Sequence, residues 1–131
     1  MADKKKIFLV EDDLFLSDMY RTKFELGGYE MPHAEDGDVA VRLIKEAKPD
    51  VVLLDIVLPK KSGFEVLKDL KADPETKDIP VVMLTNLSQK DDVDKGLKLG
   101  AADYIIKAHF TPADVVSKIE LVLKGGGAPK K

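Results

Sequence analysis

The chain has 131 residues, a length that suits one domain. It is 44% hydrophobic and 34% charged, enough to bury a core under a polar surface, and its 21 basic against 24 acidic side chains give a net charge of −3, with no broad attraction to nucleic acid or anionic membranes. Cysteine is absent, which excludes disulfides and thiolate metal sites, and no apolar run approaches the roughly 20 residues that span a bilayer, so a soluble cytoplasmic protein is expected.

After a solvated lysine trio, Lys4 to Lys6, the run Ile7-Phe8-Leu9-Val10 is continuously apolar, as a strand buried on both faces should be. From Leu14 to Gly27 the residues Leu16, Met19, Tyr20 and Phe24 recur near helical spacing, and Gly27-Gly28 ends the helix. Tyr29 to His33 reads as a weaker, edge-like strand. Ala40, Leu43, Ile44 and Ala47 then mark a helix closed by Pro49. Val51 to Leu54 is a second strongly buried strand, ending at Asp55. A loop through Pro59 to Gly63 leads to a helix with Val66, Leu67 and Leu70 on one face. Pro80 to Leu84 forms the fourth strand, ending at Thr85, and a helix runs from about Gln89 to Leu99 before Gly100. Tyr104 to Ile106 is the fifth strand, ending at Lys107. The last helix opens at Thr111-Pro112-Ala113-Asp114, where Thr111 suits the N-cap, Pro112 the first turn and Asp114 a capping box.

Five continuous strands joined by single helices call for right-handed crossovers and a parallel sheet covered on both faces, hence an open, doubly wound α/β domain. The domain is expected over residues 1–124, with 125–131 a flexible Gly-rich tail carrying Gly125 to Gly127.

Such folds bind ligands at the carboxyl ends of their strands. Strand one delivers Glu11, Asp12 and Asp13 to that edge, strand three Asp55, strand four Thr85 and strand five Lys107. Crowded carboxylates need a cation, and an oxygen-only set favours a hard ion, Mg2+ above others. A carboxylate there can attack a phosphoryl group and form an acyl phosphate, with Thr85 donating to one phosphoryl oxygen and Lys107 supplying fixed positive charge to another. The two histidines, His33 and His109, have no sequence partners for a metal or catalytic set and are read as structural or solvent-facing.

From about Lys5 to Leu123 the sequence resembles the receiver domains of two-component response regulators, in particular stand-alone, chemotaxis-regulator-like receivers. The resemblance rests on Ile7 to Asp13, on Leu53-Leu54-Asp55-Ile56-Val57-Leu58-Pro59, on Gly63, on Met83-Leu84-Thr85, and on Gly100 to Tyr104 followed by Ile105-Ile106-Lys107. It implies a flavodoxin-like five-stranded sheet of order 2-1-3-4-5 flanked by five helices. It implies that Asp55 is the phosphoacceptor, and that Mg2+ is held by Asp12 directly, Glu11 through water, Asp55, and the backbone carbonyl of Val57. Thr85 and Lys107 would contact the phosphoryl group. Thr85 and Tyr104 would form the switch, the ring turning inward as Thr85 moves toward phosphate. Asp13 is expected to start the helix rather than bind the ion.

Such a protein catalyses only its own phosphorylation and dephosphorylation. Its expected partners are a sensor histidine kinase or phosphotransfer protein and a downstream protein target, with no nucleic acid or membrane bound directly. It would be a monomer or a phosphorylation-dependent homodimer.

Two positions depart from the family pattern. Lys107 is followed by Ala108 instead of proline, and the bond between them is expected to be trans. Thr85 is followed by Asn86, where a small residue is commoner and the larger side chain is expected to crowd access to Asp55. Val57 and Leu87, two residues beyond Asp55 and Thr85, are both apolar and cannot orient water, so slow self-dephosphorylation is expected.

Three other readings compete. A haloacid-dehalogenase-type phosphohydrolase would need a second aspartate where Val57 stands. A flavodoxin-type flavin carrier would need a phosphate loop in place of Glu11 to Asp13. A receiver-like scaffold that is never phosphorylated would not need the acidic set.

Overall fold

The computed structural model describes residues 4–125; the expected flexible tail lies, apart from Gly125, outside the described residues. Its elements are β1 (Ile7–Val10), α1 (Leu14–Leu26), β2 (His33–Ala34), α2 (Gly37–Ala47), β3 (Val51–Leu54), α3 (Gly63–Ala72), β4 (Val81–Thr85), α4 (Lys90–Lys98), β5 (Asp103–Ile106), a 3-10 turn (Lys107–His109) and α5 (Pro112–Leu123). All strand pairs are parallel and the order is β2-β1-β3-β4-β5, the doubly wound arrangement expected of the sequence.

Alternation along the strands builds two cores. Ile7, Leu9, Leu53, Val82, Leu84 and Ile105 face α1 and α5, where Tyr20, Phe24, Val115 and Ile119 meet them. Phe8, Val10, Val52, Leu54 and Met83 face the other way, against Ala40, Ile44, Val66, Leu67 and Leu70. Each large apolar side chain removed from water in this way contributes about 1.5–3 kcal/mol before the entropy of ordering is counted.

Local signals set the helix ends. Beyond α1, Gly28 adopts φ +92°, the N–H of Tyr29 donates to the carbonyl of Phe24, and that of Gly28 donates to Glu25. The rings of Phe24 and Tyr29 then meet edge to face at 5.8 Å, completing a Schellman stop. Reciprocal capping boxes start α3 (Ser62 with Glu65) and α5 (Thr111 with Asp114).

The second strand differs from the expected Tyr29 to His33. The Tyr29 N–H is used in the turn after α1, and Pro32 has no N–H to return to β1, so regular pairing is confined to His33–Ala34. Upstream of it only a bridge joins Glu30 to Lys6. Among the described residues no helix is long and apolar enough to cross a membrane.

Candidate functional site

Because every strand is parallel, the residues following β1, β3, β4 and β5 emerge at one edge of the sheet. Register brings them together laterally: Val10 and Leu54 are partners, as are Thr85 and Ile106. The Asp55 N–H donates to the Val10 carbonyl, which sets Asp55 beside Glu11. Glu11, Asp12, Asp13, Leu16, Asp55, Val57, Thr85, Asn86, Leu87 and Lys107 line one shallow cleft there.

Glu11, Asp55 and Thr85 are 1%, 6% and 1% exposed, an unusual degree of burial for two acids. Lys107 accounts for it. Its ammonium lies 2.5 Å from Glu11 Oε1 and 2.8 Å from Asp55 Oδ2. The other Asp55 oxygen, Oδ1, accepts from the Ile56 N–H at 2.7 Å and more weakly from Val57 at 3.4 Å. Glu11 Oε2 accepts from the Asp13 N–H at 3.0 Å.

Burial pushes the Glu11 carboxyl up, against the lowering influence of Lys107 and of the Asp13 N–H. For Lys107 burial works to lower the pKa, but its bonds to Asp55 and Glu11 prevail and hold it above the ordinary lysine value. One ammonium thus serves two buried acids.

Asp12 is exposed and takes part in no side-chain hydrogen bond or ion pair among the described residues. Asp13 accepts from the Leu16 N–H at 3.1 Å and caps α1, as its expected helix-starting role requires. Carboxylate oxygens of Glu11, Asp12 and Asp55 lie within 4.8 Å of one another. Three carboxylates against one ammonium leave the cleft electronegative, and the donor set is oxygen only, which fits a hard divalent ion of the Mg2+ class.

The loop between β3 and α3 is pressed against its neighbours at two glycines. A Cβ on Gly63 would lie 2.1 Å from the Asp55 carbonyl oxygen, and one on Gly37 would lie 2.1 Å from that of Lys61. Hydrogen bonds reinforce both approaches, Gly63 N–H to Ile56 at 2.8 Å and Gly37 N–H to Pro59 at 3.3 Å. Glycine is required at both positions by space, not by backbone angle.

A profile for the response regulator receiver domain matches residues 7–120. The chain belongs to this family. Among curated proteins it is 40% identical over 123 residues to the phosphate regulon transcriptional regulatory protein PhoB of Pseudomonas aeruginosa, covering 94% of this chain and 53% of that protein. The chain spans about half the length of the curated relatives it matches. Among solved structures it resembles the BeF3-activated N-terminal receiver domain of RstA from Klebsiella pneumoniae, at TM-score 0.85 and 33% identity over 92% of this chain and 99% of that one. It also resembles a CheY-like receiver domain protein from Methanospirillum hungatei JF-1, at TM-score 0.87 and 27% identity over 95% and 97% of the two chains. The protein is a receiver domain of two-component signalling.

At the far side of this receiver's cleft, Thr85 and Tyr104 are joined through Leu87. The Leu87 N–H makes a long 3.4 Å contact to the Thr85 hydroxyl, and the Leu87 carbonyl accepts from the Tyr104 hydroxyl at 2.6 Å. Val57 is 63% exposed at the rim, whereas Leu87 is half-buried.

The receiver's two departures from the family pattern meet each other. Among the described residues every peptide bond is trans, Lys107–Ala108 included, and Lys107 opens the 3-10 turn. The Asn86 side chain lines the cleft with its Oδ1 directed at Ala108, whose N–H donates to it at 2.9 Å. Sequence reading singles out both residues, but as separate departures. The signal that joins them is a lost proline, which frees an N–H, beside a gained side-chain acceptor at the next strand's end.

Proposed function

We propose that Asp55 accepts a phosphoryl group from a phosphohistidine on a sensor kinase or phosphotransfer protein, and that the modified chain presents an altered surface to a downstream protein. The observation that carries this reading is the meeting of Asp55, Glu11 and Asp12 within one cleft, with the Lys107 ammonium bonded to the first two.

In the transfer, an Asp55 carboxylate oxygen attacks phosphorus as the phosphorus–nitrogen bond of the donor breaks. The imidazole leaves with the electron pair and takes up a proton, and an acyl phosphate remains on Asp55. The backbone N–H groups of Ile56 and Val57 hold Oδ1 and orient the carboxylate. Lys107 stays within reach of phosphoryl oxygens next to Asp55, and Thr85 offers its hydroxyl to another. Glu11, Asp12, Asp55 and the Val57 carbonyl would hold Mg2+, which when bound offsets the negative charge of the acids and of the incoming group. Asp12 suits direct ligation because its carboxylate is exposed. Both Glu11 oxygens already accept hydrogen bonds, which suits contact through water.

Phosphorylation adds about −1.5 to −2 charges and new acceptor oxygens. Thr85 drawn toward them would pull on the Leu87 amide, and Tyr104, bonded to the Leu87 carbonyl, would follow. That path leads from the cleft to the face of α4 and β5. In this reading the receiver unit covers residues 1–124, binds no nucleic acid itself, acts in the cytoplasm as a monomer or as a homodimer formed on phosphorylation, and turns over no substrate beyond its own acyl phosphate.

Incubation with acetyl phosphate and Mg2+ followed by intact-mass measurement tests the proposal. One added phosphoryl group is expected on the native chain and none on Asp55→Asn. An unmodified native chain would favour a scaffold that binds partners without phosphorylation.

A further inference from the structure

The side chain of Lys107 is anchored at its tip by Glu11 and Asp55, but a long flexible lysine must also be held at its root. The root lies at the start of the 3-10 turn, which Phe110 closes by donating to the Lys107 carbonyl at 3.3 Å. A proline after the lysine would withhold its N–H and disfavour the helical backbone that Lys107 adopts as the first residue of this turn. Alanine allows that backbone and brings an N–H, which is bonded to Asn86 Oδ1 at 2.9 Å. Asn86 directly follows Thr85, and Thr85 is the β4 partner of Ile106, so the bond joins the adjacent loops that follow β4 and β5.

Both Asn86 and Ala108 are exposed, so packing does not explain the contact. Its effect is to tie the peptide after Lys107 to the side chain of the residue after Thr85.

We infer that Asn86 is a positioning residue for phosphoryl transfer, fixing the backbone from which Lys107 reaches Asp55 by accepting the Ala108 N–H. The functional half of this inference rests on the assignment of Asp55 and Lys107 proposed above. Asn86 itself touches none of the reacting groups. It acts through the Ala108 N–H alone, so it has this role only while residue 108 carries an N–H.

The test compares the full chain with Asn86→Ala, Asn86→Asp, Ala108→Pro and the double variant Asn86→Ala with Ala108→Pro. Maximal phosphorylation rate is measured at saturating acetyl phosphate and Mg2+, and exchange of the Ala108 amide is followed by NMR without phosphodonor. Asn86→Ala should lower the maximal rate about three- to tenfold, the range one such hydrogen bond carries, and speed exchange at Ala108. Asn86→Asp, which keeps the acceptor, should restore slow exchange. With proline at 108 the donor is gone, so removing Asn86 should cost no further rate.

An equal loss in both backgrounds, or no loss with Ala108 present, overturns the inference. So does an unprotected Ala108 amide in the native chain. Failure of the native chain to take up phosphate would overturn the reading of Asp55, and Ala108 exchange would still judge the contact on its own.

Discussion

The ring of Tyr104 lies so close over Gly96 of α4 that a methyl group there would stand 3.2 Å from its Cδ2 atom, and 3.5 Å from the Met83 side chain. A glycine replaced by alanine inside a helix ordinarily gains about 1 kcal/mol. Here the gain is opposed by a ring whose hydroxyl is already held by Leu87. Gly96→Ala should therefore stabilise by clearly less than that, or destabilise, while in a Tyr104→Ala background the full ~1 kcal/mol should return. Urea unfolding of the four proteins measures the coupling. Equal effects in the two backgrounds would mean the ring is not confined by α4.

Divalent ions should raise the thermal unfolding midpoint. A ligand that binds only the folded state stabilises it by about 1.4 kcal/mol for each tenfold rise in concentration above its Kd. Replacing exposed Asp12 by Asn removes one negative charge from the cleft, so the metal-free midpoint should hold or rise while the response to Mg2+ falls. Thermal denaturation across a Mg2+ series, with a chelator control, checks this. An Asp12→Asn protein that responds as strongly as the native chain would remove Asp12 from the ion site.

Val57 and Leu87 stand at the rim of the cleft and offer no side-chain donor or acceptor to a water near Asp55. The acyl phosphate should be long-lived, and replacing both by Asn or Gln, whose amides can orient a water by hydrogen bonding, should shorten its lifetime by up to about tenfold, the effect of one such bond. Decay of the phosphorylated mass after removal of phosphodonor gives the number. An unchanged or lengthened lifetime would show that these side chains do not limit attack by water.

All three tyrosines are held neutral beyond their ordinary range. Burial raises Tyr20 and Tyr29, the latter helped by its bond to Glu120, and burial with nearby Asp92 and Asp55 pushes Tyr104 up to about 12. The folded state then keeps protons that the unfolded chain gives up near 10.0, so stability should fall as pH rises through 10 toward 12. Ultraviolet titration should show less phenolate at pH 10 in the folded protein than in the urea-unfolded chain, with Tyr104 the last to ionise. A full phenolate step at pH 10 with the fold intact would contradict this.

The parts of the fold that sequence reveals best are those buried on both faces. Ile7 to Val10 and Val51 to Leu54 have no polar alternation to confuse them, and the acids that follow them mark the strand ends. The second strand is harder because its signals conflict: Tyr29 serves the stop of α1, and Pro32 withholds a donor. In the cleft, Glu11, Asp12, Asp55, Thr85 and Lys107 can be brought together from order alone, since parallel strands deliver their last residues to one edge. The Asn86–Ala108 bond cannot, because it depends on the direction of two loops separated by 22 positions in sequence. Nor does sequence disclose that Gly37 and Gly63 are set by contact with carbonyls from the loop between β3 and α3.

Those two glycines determine where this domain can be recombined. Each is the first residue of its helix, and each touches main chain that belongs to the acceptor loop. A chimera that imports α2 or α3 from another protein with any larger first residue would wedge that loop away from the sheet. The natural crossover point for such exchanges lies one residue inside the helix, and a deep mutational scan should find positions 37 and 63 as intolerant as the acids.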